Sequence, residues 1–183
     1  MGRDPLAATS RTLDAVRAFH RETDARAKQL AELHAERLHC GVGCTACCSD
    51  DLTVFEVEAE RIRAEYPELL REAEPHPEGA CAFLDAQGRC RIYEARPYVC
   101  RTQGLPLRWF EERTPPRGSQ VDEVVERRDI CPLNLPGPVL ENLDPEACWL
   151  LGPSEERLRG IQEHSAGGER RRVALRRLFR RRE

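Results

Sequence analysis

Residues 40–48 read CGVGCTACC, four thiols in nine residues, and their reading decides what kind of fold this chain can have. Cys40, Cys44, Cys47 and Cys48 stand at i, i+4, i+7 and i+8, which would put all four on one face of a helix. Gly41 and Gly43 argue for a tight loop instead, with backbone N–H groups free to point at thiolate sulfur. The Cys44–Cys47 spacing is short enough to bring two sulfurs to one ion. Cys47 and Cys48 are adjacent, so their side chains diverge. That pair suits two neighbouring metals, a polynuclear cluster, or one ligand beside a bystander.

Five further cysteines follow: Cys81, Cys90, Cys100, Cys131 and Cys148. An odd total and the lack of a secretory signal speak against a disulfide framework and for thiolates held for metal. Eight thiolates fill two four-ligand sites. The predicted ligands are Cys40, Cys44, Cys47, Cys48, Cys81, Cys90, Cys100 and Cys131. Cys148 is the expected spare, because Ala147, Trp149 and Leu150 surround it with the apolar company a free cysteine prefers.

With 33% charged and 5% aromatic residues, 183 residues can build only a modest core. Metal binding offsets that shortage, since its free energy is also folding free energy. The expected architecture is mainly α: a small cysteine-rich metal-binding domain with irregular loops and flanking helices. It divides into an N-terminal helical segment (1–39), the cysteine domain (40–152) and a helical basic tail (153–183). Position 6 is Leu where a myristoylation signal wants Ser or Thr, and no apolar run is long enough to cross a bilayer. The cytoplasm is the expected compartment.

Along the chain, Leu13, Val16, Phe19, Leu30, Leu33 and Leu38 predict one long helix or two from about Ser10 to Leu38. His20, His34 and His39 on it read as solvated residues, His39 being the one to check for its position beside Cys40. Thr53–Glu56 reads as a capping box opening a helix that ends before Pro67. Residues 74–80 and 114–119 read as loops, Gln87-Gly88 as a turn, and Ile92–Arg96 as a helical turn stopped by Pro97. Val121, Val124 and Val125 fit a short strand or a helix equally. Residues 131–138 carry three prolines and should be irregular. Asp144-Pro145-Glu146 has the features of a helix start, for a helix expected to carry Cys148 and Trp149 as far as Gly152.

The segment CGVGCTACC, followed by CAFLDAQGRCRIYEARPYVCR, resembles the CxxCxxCC cysteine-cluster family, described as chelating zinc or iron. The C-x-x-L, G-x-C-x-I-Y-x-x-R-P and x-x-C-R patterns occur in order, over about Cys40 to Leu107. The resemblance implies a metal- or cluster-binding role for Cys44, Cys47, Cys48, Cys81, Cys90 and Cys100. Three residues rather than two separate Cys40 from Cys44, so Cys40 departs from the family pattern. Flagellin lysine N-methylase, associated with an iron–sulfur cluster, shares the cysteine pattern, but this chain carries no dinucleotide or S-adenosylmethionine fingerprint. Around the motif, Arg96 and Arg101 are candidates to offset thiolate charge, and Tyr93 to hydrogen-bond a sulfur.

Charge is divided unevenly. Residues 1–168 hold 21 basic and 30 acidic side chains, against eight arginines and two glutamates in residues 169–183. The basic tail suits an acidic partner: nucleic acid, an anionic membrane surface, or the body itself. Three functions fit these features. They are a protein binding an iron–sulfur cluster or zinc, a redox or modifying enzyme using such a cluster, and a zinc-stabilised adaptor. Hydrolase and deaminase chemistry is disfavoured, because neither HExxH nor H-x-E with P-C-x-x-C is present.

Overall fold

The computed structural model describes residues 5–113, 123–134, 136–165 and 169–179. The long helix predicted at the N-terminus is α1, Pro5–Leu33. Its stripe works through Val16, Phe19 and Leu30, which are buried, while Leu33 is exposed. After the cysteine loop come strand β1 (Thr53–Phe55), helices α2 (Glu56–Glu65) and α3 (Pro67–Glu72), and a 3-10 turn at Tyr93–Ala95. Then follow helix α4 (Tyr98–Thr102), strands β2 (Leu107–Arg113), β3 (Glu123–Asp129) and β4 (Trp149–Leu150), helix α5 (Pro153–Ser165) and strand β5 (Arg172–Ala174).

Helix makes up 47% and strand 15%, in two small sheets, so the fold is mixed α/β and the mainly α expectation is corrected. Two misread segments account for this. Thr53 does not cap a helix: it lies in β1, which pairs antiparallel with β5, and α2 starts at Glu56 with no side-chain cap. The capping-box pattern was overridden because Val54 is more fully buried as a strand residue facing the core. In the second segment Asp144 does cap, accepting from the Glu146 N–H, but the 3-10 turn ends at Ala147. Trp149 and Leu150 then run parallel to β2. The ambiguous valines resolve as strand β3, paired antiparallel with β2 over the whole of Leu107–Arg113. The 114–119 loop and Val121 lie outside the described residues.

Two apolar clusters form the core. One joins α2, α3 and the 81–95 segment to the end of the chain, with Phe83, Ile62 and Ile92 buried against Leu175, Leu178 and Phe179. The other joins α1, α4, β4 and α5 around Phe19, Tyr98, Trp149 and Leu158. The expected helical tail is helical in α5, Pro153–Ser165, but turns into strand β5 and a 3-10 turn at Leu175–Leu178, because the apolar residues there fill the first cluster. Its arginines bind the chain itself: Arg170 meets Glu163 at 2.8 Å, Arg171 meets Glu56 at 3.2 Å and Arg176 meets Asp50 at 2.5 Å. Arg180–Arg182 lie outside the described residues. Phe179, packed 4.9 Å from the Phe83 ring, supplies a direct test. Phe179→Ala is expected to cost about 3–5 kcal/mol in a denaturant titration. A cost within about 0.5 kcal/mol, the range of surface positions, would mean the tail does not close the core.

Candidate metal centre

Short-range backbone geometry builds the centre. Gly43 has φ +90°, and the Cys44 N–H donates to the Gly41 carbonyl at 3.0 Å, so residues 40–44 turn tightly as the glycines required. The two cysteine motifs are then joined directly, the Cys81 N–H donating to the Cys48 carbonyl at 2.8 Å. Leu84 and Cys90 form a β-bridge around the Asp85–Gly88 turn, where Gly88 has φ +74°. A Cβ on Gly88 would sit 3.2 Å from Thr45 Cγ2, so the turn lies against the Cys44–Cys47 loop. Cys100 arrives on α4, which starts where Pro97 stops the preceding 3-10 turn.

All nine cysteines are free thiols. Cys47, Cys48, Cys81, Cys90 and Cys100 lie close enough that their charges act on one another. Cys148 is buried elsewhere, among Arg128, Arg108, Glu126 and Arg37. Cys40 lies against Gly104 and the Asn134 amide, and Cys131 meets Asn134 through its backbone carbonyl. Cys44 is half-buried in the connecting loop. Among the described residues no three Cys, His, Asp or Glu side chains already converge on a point that would hold an ion. The thiols are neighbours rather than a finished polyhedron.

Electrostatics reflects this crowding. The Cys48 thiol donates to the Cys47 sulfur, which lowers Cys47 to about 6 and pushes Cys48 up; the pair holds one proton between them. Burial raises Cys81 and Cys90, opposed by the backbone N–H groups of Phe83 and Ile92 that face their sulfurs. Cys100 is raised to about 12 by burial and by the neighbouring Cys81 and Cys90. A thiol raised in the fold contributes full stability below its unfolded value and loses it as pH climbs to the folded one. The metal-free protein is therefore expected to lose stability between about pH 9 and about pH 12, measured by denaturant midpoints along a pH series. Metal loading must displace these protons, so uptake is expected to release acid and to strengthen with pH.

Several predicted neighbours act otherwise. Arg101 and Arg96 both bind Asp24, and Arg101 also donates to the Glu94 carbonyl at 2.8 Å. Tyr93 is exposed and lies under Arg96, 4.1 Å from the guanidinium, and donates to no sulfur. His20 and His34 are buried rather than solvated. His20 contacts Glu58 at 3.0 Å, and His34 Nε2 donates to the Ala147 carbonyl at 2.7 Å. His39 is exposed and engages Asn134 only through its backbone N–H.

Sequence reading missed Arg176. It donates to Asp50, two residues past Cys48, and to the Ala80 carbonyl beside Cys81, clamping both cysteine segments from the far end of the chain. Only its place in an arginine-rich tail marked it, and that signal named the body as one partner among three without singling out this residue. A cleft of about 520 Å³ opens between β1, α2, α4 and α5. Its lining includes Glu58, Tyr98 and Val99, the last directly preceding Cys100.

Eight of the nine cysteines, Cys40 to Cys131, fall inside a single stretch matched by one family profile. It covers residues 39–132, more than half of the chain, and is described as "CxxCxxCC: Putative zinc- or iron-chelating domain". The chain belongs to the CxxCxxCC family. No curated protein and no solved structure matches it. The donor set suits that family's description. Soft thiolates select zinc and iron–sulfur centres over hard cations, and no competing disulfide ties them up. Cys148, Asn134 and Arg176 lie beyond the matched segment. No helix among the described residues is long and apolar enough to cross a membrane.

Proposed function

We propose that this protein holds a polynuclear thiolate centre, an iron–sulfur cluster first and zinc second, on Cys47, Cys48, Cys81, Cys90 and Cys100. Cys40, Cys44 and Cys131 complete the donor set. The observation that carries the reading is the number of neighbouring thiols: five linked in a chain of pairwise charge effects, where a closed zinc site takes four. The adjacent Cys47 and Cys48 add to it, since two diverging sulfurs serve neighbouring metals better than one. When bound, such a centre supplies structural free energy and a one-electron couple. The chain's own contribution is to bury the thiols, direct the Phe83 and Ile92 N–H groups at two of them, and brace both motifs through Arg176. Nine free thiols suit a reducing compartment such as the cytoplasm.

Anaerobic purification with elemental analysis tests the reading. Iron with acid-labile sulfide, and broad absorption near about 400 nm, is the expected result. A colourless protein with one or two zinc ions per chain would replace the cluster by a structural zinc scaffold. A protein free of both metals would sink the reading. The cleft beside Val99 favours a second reading, in which the centre serves a redox or modifying reaction on a substrate bound there. The adaptor reading loses ground, because the tail's described arginines Arg170, Arg171 and Arg176 bind the chain's own carboxylates.

A further inference from the structure

Asn134 is completely buried although it follows a proline-containing turn at the surface. Each of its polar groups is used. Its Oδ1 accepts from the His39 N–H at 2.8 Å, and its Nδ2 donates to the Gly104 carbonyl at 2.9 Å and to Cys40 Sγ at 3.3 Å. Its own N–H donates to the Cys131 carbonyl at 2.8 Å. A backbone N–H can only donate, so the atom facing His39 must be the amide oxygen, and the NH₂ is thereby turned on the sulfur. One side chain thus joins three segments: the one starting the cysteine loop, the one four residues past Cys100, and the one carrying Cys131.

Gly104 completes the niche. It has φ +89°, and a Cβ there would come within 2.3 Å of Cys40 Sγ and 3.3 Å of Asn134 Nδ2. Only glycine lets the sulfur into this place. Cys40 Sγ is thus flanked by Gly104 on one side and met by the Asn134 Nδ2 donor on the other.

We propose that Asn134 is a positioning residue of the metal centre, holding Cys40 at the Cys100 end so that its thiol joins the donor set. The proposal rests on the thiolate-centre reading. It accounts for the irregular three-residue spacing before Cys44, because Cys40 is placed by Asn134 and Gly104 rather than by the motif. It also extends the working centre beyond the segment the family profile covers.

Alkylation by iodoacetamide, resolved cysteine by cysteine by peptide mass spectrometry, tests it on the full chain purified anaerobically, with its metal in place and after chelation. In the wild type, metal should shield Cys40 and Cys131 together with Cys47, Cys48, Cys81, Cys90 and Cys100. Asn134→Ala and Asn134→Asp should unshield Cys40 by about 10–100-fold, the usual effect of losing a partner that orients a ligand. The other six should stay shielded, Cys131 included, because it meets Asn134 only through the backbone. Asn134→Asp keeps the acceptor for His39 and the side-chain volume, but replaces the donor by a carboxylate oxygen that repels the Gly104 carbonyl and the Cys40 sulfur. Cys148, 3% exposed and remote from the cluster, reports any general loosening, which would raise its rate as well. Gly104→Ala should unshield Cys40 in the same way. Equal alkylation of wild-type Cys40 with and without metal overturns the proposal, as does full shielding of Cys40 in the variants. If metal shields none of the seven, the thiolate-centre reading itself falls, and the two failures are told apart.

Discussion

Cys90→Ser is expected to lose the bound metal and, with it, the fold of the cysteine segment. The substitution keeps the size of the side chain and replaces a soft thiolate by a hard hydroxyl, a poor ligand for zinc or iron–sulfur iron. Cys90 sits at the closing end of the Leu84–Cys90 bridge, where the Ile92 N–H faces its sulfur, so a loss there acts on the centre of the set. Structural zinc contributes about 10–16 kcal/mol in small domains. Whole domains are stable by only about 5–15 kcal/mol. Loss of metal therefore removes most of the margin in a chain whose core is as modest as this one. Metal per chain by elemental analysis and the thermal midpoint of the same sample give the readout. Cys148→Ser is the control: metal content should be unchanged, with about 1–3 kcal/mol lost for a hydroxyl in a thiol's buried place. Full metal stoichiometry with unchanged melting in Cys90→Ser would remove Cys90 from the donor set.

The second large effect concerns a buried polar network beside the thiols. Glu58, 3% exposed on α2, accepts from His20 Nε2 at 3.0 Å and from the Tyr98 N–H at 2.7 Å. Arg61 Nη1 lies 2.6 Å from His20 Nδ1. A guanidinium only donates, so Nδ1 carries the lone pair and His20 is neutral with its proton on Nε2. Burial holds His20 below its ordinary range, against the pull of Glu58. Glu58→Leu leaves the His20 and Tyr98 N–H groups without an acceptor, while Arg61 keeps its pairing with Glu65. Breaking a buried charged network in this way costs about 3–5 kcal/mol. Glu58→Gln, which can still accept both bonds, should recover part of the loss. The test is the denaturant midpoint of metal-loaded protein at constant slope. A shift worth less than about 1 kcal/mol in Glu58→Leu would show that the network carries little of the stability.

The elements legible in the sequence are those set by local rules. The α1 stripe, the Pro67 and Pro97 stops, the Gly88 turn and the Asp144 cap each depend on a few neighbouring residues, and each is present in the structure. The errors arose where a local rule met a distant partner. Thr53–Glu56 has a capping-box pattern, yet Val54 gains more by pairing with Val173, more than a hundred residues away. Trp149 has helical neighbours, yet its indole N–H reaches the Tyr98 hydroxyl at 2.9 Å only from a strand beside β2. Arginine runs in residues 169–183 left nucleic acid, an anionic surface and the body itself open as partners, because sequence reports charge but not what faces it.

The sequence by itself determined the chemistry of this protein: nine thiols, their spacing, and two motifs whose order marks a zinc- or iron-chelating family. Those are properties of residue type and short separation, which the chain carries before it folds. Only the tertiary structure decided which thiols are neighbours, that Arg176 and Asn134 brace them, and that the tail is core. Such contacts follow from burying apolar surface and pairing buried polar groups across the whole chain, and no local pattern encodes them.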